Sequence, residues 1–240
     1  VPSAATIVAS IALAVSGIVG TADPGTASAD DGAGVVALTP DAEASFRTFL
    51  TAYGVDDAVQ DALVATLDAG GRIDSFGGTP VDVTQTVTPT SITTVSTYAD
   101  GSVSAATLEQ PGDVTGSRVR ATGPEPLSVS GCTSTVSTTY QRTYVGCAVR
   151  SSNGLVTMGF TAGYTLFQGG GRIDSVQSPR LWSSTYGGAT QSLAITREYS
   201  SGSLPATARH TATFSTSATT SLTCWLQLNV LGSAYTTDNF

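Results

Sequence analysis

The stretch that decides the fold is Cys147-Ala-Val-Arg-Ser-Ser-Asn-Gly-Leu-Val-Thr-Met-Gly-Phe-Thr-Ala-Gly-Tyr-Thr-Leu-Phe167. After Asn153-Gly154 the even positions Val156, Met158, Phe160, Ala162, Tyr164 and Leu166 are apolar, and Thr157, Thr161 and Thr165 alternate with them. A period of two marks a strand with one buried face. Asn-Gly between two such runs predicts a type I′ hairpin with a two-residue loop. That loop sets Val149 opposite Met158, Cys147 opposite Phe160 and Val145 opposite Ala162. All three pairs are apolar, so the register agrees with the pattern on both strands.

The same grammar extends on both sides. Asp100-Gly101 divides 92–99 from 102–108 and predicts a second type I′ hairpin. Further strands are expected at 193–199, 209–214 and 221–230, the last with Leu222, Cys224, Leu226, Leu228 and Val230 on one face. Roughly seven or eight antiparallel strands, with a turn about every ten residues, predict a mainly β domain over 80–240. An antiparallel β-sandwich is expected, with a small β-barrel as the alternative. Residues 111–126 hold Pro111, Pro124 and Pro126 and read as a proline-rich loop or linker.

Upstream of the strands the period is helical. Thr39-Pro40 reads as an N-cap with proline at the first helical position, and Asp41 and Glu43 follow in the first turn, where carboxylates favour the helix dipole. Phe46, Phe49, Leu50 and Tyr53 form one apolar stripe, and Gly54 ends the helix. A second helix begins near Asp56 and Asp57, carries Val59, Leu63 and Leu67 at four-residue spacing, and stops at Gly70-Gly71. Residues 39–79 are thus an acidic αα-hairpin: 30–79 hold nine acidic residues and two arginines, whereas 80–240 hold eight of each. Its stripe through Phe46, Phe49, Leu63 and Leu67 must be covered by the β body or by another protein. A six-residue string, Gly-Gly-Arg-Ile-Asp-Ser, occurs at 70–75 and again at 170–175. Internal duplication is one reading, although the flanks of the two copies do not match; otherwise Gly-Gly suits a chain reversal in both places, or Arg72, Asp74, Arg172 and Asp174 share one polar contact.

Residues 4–19 are almost wholly apolar and small, and Ala27-Ser28-Ala29 follows. A run of this length before an A-x-A site reads as a secretory signal peptide over 1–29, and it falls short of the roughly 20 residues of a bilayer-spanning helix. A buried core helix is the other reading. No positive n-region precedes the run, so either a few residues are missing ahead of Val1 or an alternative start codon was read literally. Cleavage leaves a flexible mature N-terminus at 30–38 and no stable membrane insertion is expected. The ten basic residues are all arginine. Such usage is typical of GC-rich genomes and, with an export signal, points to an actinobacterium.

Cys132, Cys147 and Cys224 would lie in a compartment where disulfides persist. The expected bridge is Cys132–Cys147, since each follows a glycine and the pair brackets a short strand; Cys224 reads as a buried small hydrophobe. A zinc site is not expected, with no C-x-x-C pair and one histidine, and no cofactor motif is found. The formal charge of −8 disfavours nucleic acid and anionic lipid as partners. Any serine or cysteine triad must use His210, which alternation groups with Ala208, Ala212 and Phe214 as a packing residue. No G-x-S-x-G elbow is present. Among the carboxylates Glu198 is a possible general acid, although a solvated strand face explains it equally; Asp100 belongs to a turn and Asp238 to the tail. Tyr140, Tyr144, Trp182 and Tyr186 lie among Ser, Thr and Gly as candidate binding residues, with core or scattered surface aromatics as the plain alternative.

Signal peptide, helical hairpin, Tyr98-Ala-Asp-Gly-Ser102 and Gly131-Cys132 leading into a threonine-rich β domain together resemble secreted β-domain proteins of actinobacteria. The pattern is also similar to small secreted subunits that join lectin and toxin chains in multi-protein toxin particles. Neither resemblance brings catalytic residues. The function expected is a secreted, non-catalytic binding or assembly module whose partner is an extracellular protein or a cell-surface glycan. The alternatives are a secreted hydrolase of cell-wall or polysaccharide substrates and an adaptor subunit of a toxin particle.

Overall fold

A computed structural model describes residues 38–111, 131–138, 140–184, 186, 188–215 and 221–240. The signal peptide expected over 1–29, all but Leu38 of the flexible N-terminus expected over 30–38 and all but Pro111 of the proline-rich loop expected over 111–126 lie outside the described residues.

The chain opens with helices α1 (Pro40–Ala52) and α2 (Asp57–Asp68). Eleven strands follow among the described residues: β1 (Asp82–Val87), β2 (Ser91–Thr97), β3 (Val103–Glu109), β4 (Thr133–Ser137), β5 (Gln141–Ser152), β6 (Val156–Phe167), β7 (Gly170–Ser183), β8 (Ala189–Arg197), β9 (Ala206–Ser215), β10 (Ser221–Leu231) and β11 (Ser233–Asn239). The expected strand count was too low, and Asp238 belongs to β11 rather than to a tail. All pairings are antiparallel. One seven-stranded sheet runs β1-β2-β3-β5-β6-β7, with β4 pairing the first half of β5 and β3 its second half; a four-stranded sheet runs β11-β10-β9-β8. Inward residues of β5, β6 and β7 meet those of β9 and β10, giving the sandwich rather than the barrel. Where β3 and β4 abut along β5, the Glu109 carboxylate fills the gap by accepting from the Ala148 and Gly131 N–H groups.

Both hairpin turns depart from the two-residue type I′ loops expected. Asn153 donates its N–H to the Val156 carbonyl, so the loop residues are Gly154 and Leu155. Gly154, at φ +87°, holds the first central position, which in a type II′ turn requires glycine. The Asn153 side chain accepts from the Leu155 and Val156 N–H groups and locks the turn. The register moves by two residues: Val149 faces Phe160, and Cys147 faces Ala162. A shift of two keeps every side chain on its own face, which is why the apolar pattern survives it. Val145 bulges out, pairs with Thr133 of β4 and is 44% exposed. At the other turn Thr97 pairs with Val103 across a longer loop, with Gly101 left-handed at φ +82° and the Asp100 carboxylate accepting from Ser102 N–H.

These two turns are where the helical pair docks. A Cβ on Gly154 would stand 2.7 Å from the Phe46 ring and 2.8 Å from that of Phe49; one on Gly101 would stand 2.5 Å from Val59. Helices of 13 and 12 residues are marginal alone, so burial must hold them. Phe46, Leu50, Leu63 and Leu67 are all buried in the common core. Gln60, between the helices, is also buried and donates to Thr51 Oγ1 and the Val55 carbonyl. The apolar stripe is therefore covered by the protein's own β body.

The first Gly-Gly-Arg-Ile-Asp-Ser string continues this dock. Asp74 N–H donates to the Asp100 carboxylate, Asp100 N–H donates back to that of Asp74, and Ser75 N–H donates to Ser102 Oγ. The second string starts β7, where Arg172 pairs with Asp174 and Asp174 accepts from Thr165. Arg72 instead donates to the Phe76 carbonyl, so each string has its own partners, as the chain-reversal reading requires.

Candidate functional site

Alternation along β5 and β6 directs Tyr144 and Tyr164 inward as a direct cross-strand pair, stacked with ring centroids 4.8 Å apart. Burial pushes the Tyr164 phenol up, and Gln110 donates to its oxygen. Beyond this pair the sheet opens at the end away from the helices. Thr138 makes a tight side-chain turn, accepting from the Tyr140 and Gln141 N–H groups, and Gln168 N–H donates to the Tyr140 carbonyl. These contacts hold Tyr140 beside the end of β6. An open cleft of about 450 Å³ results, lined by Tyr140, Gln141, Arg142, Leu166, Phe167 and Gln168, with Tyr144 also contributing and Gly232 closing it from the β10–β11 turn. Tyr140 is 69% exposed and Phe167 37%, so two aromatic side chains reach solvent beside amide and guanidinium groups.

The four aromatic residues singled out in the sequence do not form one surface. Tyr140 and Tyr144 line the cleft. Trp182 is exposed but pairs with Thr157, ten residues up β6 from Phe167 and so roughly 33 Å away at the usual rise of a strand. Tyr186 packs against Phe76 and Phe214 at centroid distances of 6.0 and 5.3 Å. Phe167 was missed because alternation after Leu166 marked it as an outward strand residue, and only the return of β5 beside it makes a wall.

None of the other chemistry-bearing residues singled out in the sequence lines the cleft. His210 is fully buried, with Nε2 hydrogen-bonded to Gln191, and stands edge-on to Phe160 at 6.5 Å. Burial lowers its pKa, with the Gly159 backbone pulling the other way. Glu198 is exposed and its carbonyl accepts from Ile173 N–H, consistent with a solvated face. Cys132 and Cys147 form a disulfide; Cys224 is a free, buried thiol pushed up to about 12 by burial. No cluster of potential metal ligands occurs among the described residues, and no helix among them is long and apolar enough to cross a membrane.

Asp238 and His210 give the fold a pH signature. Burial raises the Asp238 carboxyl, against an opposing hydrogen bond from Ser151. Its contribution is full below the unfolded carboxylate range, near 4, and is lost as pH rises through the native value. His210 acts oppositely: its contribution is full above its unfolded value, near 6.5, and is lost as pH falls through the lowered native one. Asp238→Asn is therefore expected to raise the thermal midpoint at neutral pH, with the advantage disappearing on acidification. Thermal melts of both proteins from pH 3 to 8 test this, and an advantage equal at every pH refutes it.

The fold and cleft define a two-sheet antiparallel β-sandwich protein with a helical pair at one end and an open aromatic cleft at the other. No family model and no curated protein matches the chain. Among solved structures, a hypothetical protein from Listeria monocytogenes EGD-e is similar at a TM-score of 0.32 and 17% identity, over 62% of this chain and 94% of that one.

Proposed function

We propose that the protein is a non-catalytic binding module of the bacterial extracellular space, taking a polar ligand such as a cell-surface glycan into the cleft around Tyr140 and Phe167. The observation that carries this reading is the pairing of two exposed rings with hydrogen-bonding side chains in an open cleft. A ring face covers the apolar C–H face of a sugar, while Gln141, Arg142 and Gln168 can serve its hydroxyls. The Cys132–Cys147 disulfide supports an oxidising compartment, and the A-x-A site at 27–29 supports export. Burial of His210 against Phe160 speaks for a non-catalytic role, because its imidazole faces the core rather than the cleft. The helical stripe that an adaptor would offer to a partner is occupied by the two hairpin turns.

The test is retention of the pure mature protein on isolated cell walls and on immobilised polysaccharides. Tyr140→Ala and Phe167→Ala are each expected to weaken retention by about tenfold or more, the scale of losing a ring at a binding hot spot. Retention unchanged in both variants removes the cleft from the reading. Reproducible hydrolysis of a glycan, peptide or ester, lost in His210→Ala or Glu198→Ala, replaces it with the hydrolase alternative.

A further inference from the structure

A second polar groove, of about 340 Å³, lies on the outer face of the four-stranded sheet and is lined by Thr196, Arg197, Thr207, Arg209 and Gln227. Its making depends on one irregularity. From Leu193 to Ile195, β8 pairs residue by residue with His210 back to Ala208; the register then shifts, so that Arg197 pairs with Thr207. Without the shift Arg197 would face Ala206, whose side chain is fully buried. The bulge therefore turns a guanidinium out of the core and onto the face carrying Thr207 and Arg209, a re-aiming typical of bulges. Arg197 and Arg209 become diagonal neighbours on this face, within reach of long side chains.

Neither arginine has a carboxylate partner among the described residues. Arg209 is held flat, its Cζ 4.5 Å above the Trp225 ring, while Nε and Nη2 donate to Gln227 Oε1. That leaves its Nη1 edge undedicated. Arg197 donates only Nη1, to the Pro205 carbonyl, and keeps its Nε edge undedicated. Thr196 and Thr207 hydroxyls hydrogen-bond one another at 2.7 Å between the strands. Gln227 is fixed in turn, through Asn229 to Thr237. Two positioned guanidiniums with no counter-charge, on a protein of net charge −8, form a local site for an anion.

We propose that this groove binds a phosphate-type oxyanion between Arg197 and Arg209, either as the free ion or as the phosphodiester of a surface polymer. Two unneutralised guanidiniums match the charge of a phosphate, and their planar forks match its oxygens. The site lies on the other sheet from the hairpin β5–β6 that builds the aromatic cleft and does not rest on the glycan reading.

The experiment titrates the full mature chain with inorganic phosphate, with glycerophosphorylglycerol and with glucuronate, at constant ionic strength in chloride. Binding is followed through the Arg209 Nε–H and Trp225 indole N–H resonances. A saturable shift with either phosphate compound is expected, weakened at least tenfold in Arg197→Gln and in Arg209→Gln and unchanged in Tyr140→Ala. Tighter binding of the diester assigns the polymer as source; tighter binding of inorganic phosphate assigns the free ion. Should Arg209→Gln lose its fold with its stack on Trp225, Arg197→Gln decides. No saturable shift, a shift equal in Arg197→Gln, or a response to glucuronate without one to phosphate overturns the proposal.

Discussion

Phe46→Ala is expected to cost about 3–5 kcal/mol, the range for emptying a fully buried aromatic site, and to destabilise sandwich and helices together. Phe46 has no exposed surface and packs directly over the Gly154 turn. Its loss leaves a cavity between α1 and the β5–β6 tip, and the backbone locked by Asn153 cannot collapse into it. Urea titrations followed by far-ultraviolet circular dichroism and by tryptophan fluorescence test this. Coincident transitions shifted to lower denaturant are the expected result. Trp182 and Trp225 lie on strands β7 and β10, one in each sheet, so helical signal lost while tryptophan emission is unchanged would show instead that the helices are an independent appendage.

Replacing Cys132 and Cys147 by alanine together is expected to cost about 3 kcal/mol, the loop-entropy figure for a closure of this length, where the sequence separation is 15. The bridge ties the entry of β4 to the centre of β5, beside the gap spanned by Glu109. Cys224 cannot substitute, because it lies fully buried on β10 with its thiol held in the unreactive protonated form by burial. Alkylation of the native protein should label no cysteine, and alkylation after unfolding without reductant should label Cys224 alone. Labelling of Cys132 or Cys147 under those conditions contradicts the pairing.

Phe46 and Cys147 also show how differently sequence and tertiary structure contribute. The stripe containing Phe46 is a matter of helical period, and Thr39, Pro40 and Gly54 mark its ends by local backbone chemistry, so the helix α1 could be read along the chain. What covers Phe46 could not, because the covering atoms belong to a turn about a hundred residues away. The hairpin around Asn153 divides in the same manner. Its existence and its buried face follow from a period of two, but its register depends on which residues occupy the turn, and the Asn153 side chain together with the docked helix selects Gly154 and Leu155.

The candidate sites were legible to a smaller degree. Tyr140 stood out as an aromatic residue among threonines, while Tyr186 had the same local appearance and proved to be packed, and Tyr144, although it lines the cleft, is stacked on Tyr164 and buried. Whether a ring faces solvent or core depends on the strand's face, and near a turn the face is set by neighbouring strands. Arg197 carried no signal at all, since uninterrupted alternation would send it inward and only the bulge against β9 turns it out. Sequence by itself determined the antiparallel β class and the helical pair, because period and capping act locally, and it singled out Cys132–Cys147 among three possible bridges and grouped His210 with packing residues. Only the tertiary structure decided the register of the hairpins, the burial of the helical stripe, and which aromatic and arginine side chains share a groove, because those depend on contacts between segments far apart in the chain.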